Sequence, residues 1–329
     1  MYFNKIQELE FMDQSLLNEQ SMTGKRGRKS RYSGLYRRNM DLYLIMLPVV
    51  VYFIIFKYWP MYGVQIAFKD YIATKGIWGS QWVGLKHFLR FFRSYHFELV
   101  IKNTLGISIY QLVVGFPFPI ILALMMNELP LPRFKKLIQT VTYAPHFLST
   151  VVLVGMLNTM LSPRSGIINE LLKVFGMEPI YFMGEPAWFK TIYVLSDIWQ
   201  NAGWNSVIYM AALAGIDQQL YEAAIVDGAT KMQRTWHITI PGILPTAITL
   251  LILNTGKIMN VGFEKVYLMQ NGLNLMSSEV IATYVYKVGL VGAEYSFSTA
   301  VGLFNSVINC ILLIIVNRIS RKTTETSLW

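Results

Sequence analysis

Six runs of about 20 apolar residues, the length that crosses a hydrocarbon core, decide what this chain can become. They lie at about 42–60, 104–126, 137–161, 189–213, 243–262 and 297–317. Inside lipid every backbone amide must find its partner within the segment, so each run is expected as a transmembrane helix. Composition agrees. Of 329 residues 53% are hydrophobic and only 15% charged, against roughly 25% charged in soluble domains. Mean hydropathy is +0.39. The first run follows a basic stretch, as the core of a secretory signal does. It starts only at residue 42, however, and no small-residue cleavage site follows, so a retained span is expected.

Lysine and arginine near the span ends set the orientation. Lys25, Arg26, Arg28, Lys29, Arg31, Arg37 and Arg38 precede the first run. Arg133, Lys135 and Lys136 separate runs two and three, Lys231 and Arg234 separate four and five, and Arg318, Arg321 and Lys322 follow the sixth. Placing all four groups in the cytoplasm gives six spans with both termini inside. The expected organisation is a basic cytoplasmic segment 1–40, a transmembrane domain 41–317 and a cytoplasmic tail 318–329. Residues 1–24 fit either a short interfacial helix or a disordered tail. The net charge of +10 fits attraction to anionic inner-leaflet lipid and gives no reason to expect nucleic acid. Cys310 is the only cysteine and the four histidines are scattered, so neither a disulfide framework nor a metal site is expected.

On the outer side, Phe88, Phe91 and Phe92 alternate with Lys86, Arg90 and Arg93. That spacing predicts an amphipathic helix lying at the membrane interface, with Trp78 and Trp82 as interfacial anchors.

The stretch 222–241, polar and charged, sits between two apolar runs on the cytoplasmic side. Asp217 is placed to N-cap a short helix through Glu222 and Val226, and Gly228 supplies freedom for a sharp turn. A second short helix from about Thr230 to His237 is expected to stop before Pro241. Small Ala223, Ala224 and Ala229 admit a close partner surface, and Glu222 and Asp227 offer charges to it.

The stretch reads Glu-Ala-Ala, three residues, Gly, nine residues, Ile-x-Ile-Pro, and so resembles the EAA loop of ABC-importer permeases. Glu222, Ala223, Ala224, Gly228, Ile238 and Pro241 stand at the motif positions, with Ile240 where leucine is usual. The segments Trp82-Val-Gly-Leu, Asn103-Thr-Leu and Tyr143-Ala-Pro-His are similar to carbohydrate-importer permeases related to the maltose system. Asn260-Val-Gly-Phe-Glu-Lys-Val-Tyr, Ile281-Ala-Thr-Tyr-Val-Tyr-Lys-Val-Gly-Leu, Ala300-Val-Gly-Leu-Phe and the terminal Leu328-Trp329 narrow the resemblance to the LplB-type branch. That branch is linked to complex oligosaccharides, including pectin-derived and other uronate-containing ones.

The resemblance implies an all-α membrane protein of six helices in the MetI-like arrangement of type I importers, with an EAA coupling loop at 215–242. It also implies a second homologous permease subunit, two ABC ATPase subunits that use ATP and Mg, and an extracellular or periplasmic solute-binding protein. The cargo would be an oligosaccharide, and the setting a bacterial cytoplasmic membrane. In such permeases the first loop helix docks in a cleft on the ATPase. Glu222 would be the polar contact there and Gly228 the turn. The chain itself would be no enzyme and would bind no cofactor. The longest outer loop, 61–103, is too short for the large outer domain of the maltose-specific subunit.

Polar side chains inside spans are costly and carry a functional expectation. Run four places Asp197, Gln200, Asn201, Trp204 and Asn205 on one helical face, and run five places Asn254, Lys257 and Asn260 on another. With Trp199, these supply the amides, charges and flat rings that an oligosaccharide needs. Lys257 suits a uronate carboxylate, a structural pair with Asp197 or Glu264, or snorkelling to the interface. Thr299, Gly302, Ser306 and Asn309 in run six read best as a small-residue packing stripe. An ion-driven secondary transporter of a polar solute is the rival reading. It has no use for the loop at 222–241. Walker, Gly-x-Ser-x-Gly and His-Glu-x-x-His patterns are absent from the sequence.

Overall fold

A computed structural model describes residues 39–324 and 327. The basic run 25–38 and the possible helix in 1–24 lie outside the described residues. The chain divides into two compact units, Met1–Val64 and Gln65–Trp329. The first holds most of one helical run, α1 (Met40–Phe68), which has Pro48 inside it and a π turn at Ile54–Tyr58 before Pro60. Proline removes an amide donor, and an irregular turn is where a helix absorbs that loss.

The second unit opens with a two-stranded antiparallel hairpin, β1 (Lys69–Asp70) and β2 (Gln81–Trp82), in the register Lys69↔Trp82. Then follow α2 (Lys86–Phe92), α3 (Tyr95–Asn127), α4 (Pro132–Phe147), α5 (Thr150–Met160) and α6 (Ile167–Val174). Next come α7 (Pro186–Ala214), α8 (Gln218–Val226), α9 (Lys231–Thr255), α10 (Phe263–Met269), α11 (Ile281–Val291) and α12 (Tyr295–Thr324).

Among the described residues four helices, α1, α3, α9 and α12, are long and apolar enough to cross a membrane. The run expected at 137–161 is not one straight helix. α4 and α5 meet at a bend of 100°, because Pro145 ends α4 in a 3₁₀ turn, Leu148 is extended and Ser149 caps α5. α7 covers the fourth expected run with 29 residues, about 43 Å at 1.5 Å per residue, but its polar stripe leaves it less apolar than the others. The fifth run also shifts. α9 starts well before residue 243 and ends at Thr255, so 256–262 is irregular backbone.

Two further expectations change. Proline 241 does not stop a helix: the π turn Thr235–Thr239 lets α9 run through it. The α2 helix exists, but Phe91 is turned from lipid into a protein core, 1% exposed, against Phe97, Tyr284, Phe297 and Phe304. Phe88 packs on Phe68.

α7 is the central helix and packs on α3, α4 and α9. One core gathers Ile107, Val154, Phe189, Val194, Ile198 and Val266, and another Ala123, Tyr209, Leu213 and Ile243. The crossing with α4 is very close, since a Cβ on Gly203 would strike the Thr142 carbonyl. Of the small-residue stripe expected on α12, Asn309 is buried against this chain and the middle of the stripe is open. Gly302 borders open space and Ser306 is exposed, while Phe297, Ala300 and Val301 make the buried contact.

Candidate functional site

α3, α7, α9 and the irregular 256–262 segment enclose a cavity of about 810 Å³. Six of the eight pathway residues expected from sequence line it: Asp197, Trp204, Asn205, Asn254, Lys257 and Asn260. Trp199 does not; it is half exposed on another side of α7. Asn201 is not in the lining either, but its amide donates to Asp197 Oδ1 at 3.0 Å.

Asp197 sits in mid-helix and is held from three sides. Gln111 Nε2 donates to its Oδ2 at 2.8 Å, Asn201 to its Oδ1, and Lys265 Nζ lies 3.7 Å from Oδ1. Of the alternatives for Lys257, the structural pair with Asp197 is not formed. Lys265 takes that place, donating also to the Tyr193 carbonyl at 3.1 Å and resting 4.7 Å above the Tyr193 ring. Its side chain is 7% exposed, so the carboxylate is what makes a buried cation tolerable.

Three residues of this network escaped sequence reading. Gln111 stands in an apolar run, and polar-in-span logic applied there would have found it. A π turn at Gln111–Gly115 presents it, and a Cβ on Gly115 would meet its amide nitrogen at 2.5 Å. Gln111 Oε1 is buried without a hydrogen-bond partner among the described residues, an acceptor available to a hydroxyl donor. Lys265 lies past the expected span, in what read as outer loop. His146 donates from Nδ1 to Asn201 Oδ1 at 2.9 Å and stacks on Trp204, centroids 4.7 Å apart and rings 4° from parallel. Gln200 donates to the Leu148 carbonyl at 2.9 Å. The α4–α5 bend is thus tied to the cavity wall.

Lys257 and Asn260 share a wall for a different reason than helical periodicity. Both lie beyond the end of α9, in turns closed by Lys257 N to Asn254 O and Asn260 N to Lys257 O. Asn309 fixes this segment. Its Oδ1 accepts from Met259 N at 3.0 Å, and its amide, with that of Asn305, donates to Asn260 Oδ1. Asn309 is thus a clamp and not a packing residue. Lys257 is exposed to the cavity and forms no ion pair among the described residues. Glu264 does not reach it.

The second candidate element is the 217–242 hairpin. Asp217 Oδ1 accepts from Gln219 N at 2.9 Å and starts α8. Ala229 N bonds Ala224 O, Gly228 N bonds Ile225 O, and Gly228 has φ +77°, the Schellman termination that favours glycine. Thr230 and Gln233 then form a capping box that opens α9. Tyr221 and Thr239 hydroxyls, 3.1 Å apart, fasten the two arms. Glu222, Ala223 and Asp227 are exposed and Ala224 is half-buried, beside exposed Leu220, Ile225, Val226, Met232 and Trp236. Ile238 and Pro241 stand on the α9 arm. Among the described residues no group of three metal-ligating side chains occurs.

Residues 115–325 match the family described as binding-protein-dependent transport system inner membrane component. The chain is 46% identical over 288 residues to the polygalacturonan/rhamnogalacturonan transport system permease protein YteP of Bacillus subtilis, covering 88% of this chain and 90% of that one. It is 43% identical to protein LplB of the same organism over 92% of this chain and 95% of that one. The fold is similar, with a TM-score of 0.82 and 42% identity, to a chain of a bacterial alginate ABC transporter crystallised with an alginate pentasaccharide-bound periplasmic protein. That alignment covers 89% of this chain and 98% of the other.

Asp197→Ala is expected to strand the Lys265 charge and cost about 3–5 kcal/mol, read as a lower thermal midpoint of the purified assembly. Adding Lys265→Met should recover much of the loss; a further drop in the double variant would contradict the pairing.

Proposed function

Because the chain belongs to the family of binding-protein-dependent transport inner membrane components, we propose that it is one permease half of an ATP-driven importer of uronate-containing oligosaccharides. The observation that carries the cargo is Lys257. An ammonium with no carboxylate partner among the described residues faces a cavity of oligosaccharide size, beside amides from Asn205, Asn254 and Asn260 and the Trp204 ring. An uncompensated cation there is best explained by an anion that arrives with the cargo. The acidic glycans named for the relatives support the same chemistry.

The partners of this reading are a second homologous permease, two ATPase subunits that bind ATP and Mg, and a solute-binding protein. α7 crosses as the fourth of six spans, and both termini lie in the cytoplasm. The 217–242 hairpin then faces inward. Its apolar patch, with Glu222 and Asp227 beside it, suits insertion into an ATPase cleft. The hairpin is rigidly continuous with α9, which ends at the Lys257 segment. Closure of the ATPases therefore reaches the cavity wall through one helix, and the pair of permeases alternates between outward and inward openings. Covalent chemistry stays with the ATPases.

Lys257→Ala is expected to reduce uptake of an oligogalacturonate about tenfold, the loss of one charge-assisted contact, and uptake of a neutral oligosaccharide less. Equal losses would remove the charge-recognition reading. Glu222→Lys and Gly228→Pro should leave the chain in the membrane while separating ATP hydrolysis from uptake. Normal coupled uptake by both variants would remove the docking role.

A further inference from the structure

Lys190 and Lys102 are two cations with no carboxylate partner among the described residues. Neither appears in any ion pair there, although Glu98 lies one turn before Lys102 and Glu185 precedes α7. Lys190 does not turn away to the surface. Its stem crosses onto α3, where its Nζ lies 2.7 Å, and its Cε 3.5 Å, from the place a Cβ on Gly106 would take. Gly106 is four residues after Lys102 on the same face of α3, so the lysine that rests on Gly106 is a neighbour of Lys102. Lys190 is half-buried and Lys102 exposed, and neighbouring like charges repel unless an anion joins them.

The position gives the anion its source. Lys190 falls on the α7 face that carries Tyr193, Asp197, Asn201 and Trp204, seven residues before Asp197, or about 10 Å along the axis. Tyr193 and Asp197 line the cavity. We propose that Lys190, seated over Gly106, and Lys102, one turn before that glycine on α3, form a carboxylate-binding station at the α3–α7 end of the cavity. It receives a uronate residue of the incoming chain before another reaches Lys257. The inference rests on the acidic-oligosaccharide reading above and adds to it the place of a second charge contact. A chain bearing successive carboxylates engages both stations, whereas a neutral sugar engages neither.

The test uses the complete permease–ATPase assembly in phosphatidylcholine vesicles with loaded binding protein, following uptake of a short oligogalacturonate. Lys102→Gln with Lys190→Gln should lower uptake about tenfold or more, and Lys102→Arg with Lys190→Arg should restore most of it. Gly106→Ala meets only the flexible end of Lys190, so the assembly should form and uptake should still fall. It serves alone if the double glutamine variant does not assemble. Uptake within about twofold of the unaltered protein in the glutamine variant or in Gly106→Ala would overturn the station. A defect seen only in vesicles containing anionic lipid would assign the lysines to a lipid headgroup instead. If the unaltered protein takes up no oligogalacturonate, it is the acidic-cargo reading that fails.

Discussion

A carboxylate in the middle of a 29-residue helix is the constraint that organises this structure. Asp197 cannot be left alone in an apolar layer, and meeting that requirement draws three elements together. Gln111 comes from a π turn of α3, Asn201 from the next turn of α7 and Lys265 from α10. The result is a polar wall whose geometry is fixed before any cargo arrives. Asn201 extends the network to His146, which stacks on Trp204 at the α4–α5 bend. A change in that bend and a change in the cavity are therefore one event.

The opposite wall is organised by backbone rather than by charge. α9 ends at Thr255, and the freed segment is gripped by Asn309 and Asn305 of α12. Irregular backbone at such a depth survives only where it lines a cavity or is buried in protein, and here it carries Lys257. The two lysines of this site differ in kind. Lys265 is buried and paired, a structural cation; Lys257 is open and, among the described residues, without a counterion. The distinction follows from which carboxylate each can reach.

Much of this was legible in the sequence, and the misses have physical causes. Apolar length located the helices, and the Asp217, Gly228 and Thr230 chemistry located the hairpin, because caps and turns are local. Pro241 misled, since a π turn can absorb a missing donor that helix rules treat as a stop. The grouping of Asn254, Lys257 and Asn260 emerged from a periodicity that the backbone does not keep past Thr255. Lys265 could not be paired with Asp197 from sequence, because the contact spans 68 positions and depends on how α10 folds back. Residue type alone points Trp199 to the pathway, but its helical angle puts it elsewhere. Asn309 falls in a stripe that size marks for packing, whereas its amide decides its contacts.

The central claim is that an acidic oligosaccharide, delivered by a binding protein, drives the ATP cycle through this subunit. The most direct measurement is ATP hydrolysis by the purified permease–ATPase assembly with binding protein, compared across neutral and uronate-containing oligosaccharides. The account predicts stimulation by the uronate-containing class and little by neutral sugars of the same length. Stimulation by neutral sugars alone, or by none of either class in an intact assembly, would contradict it.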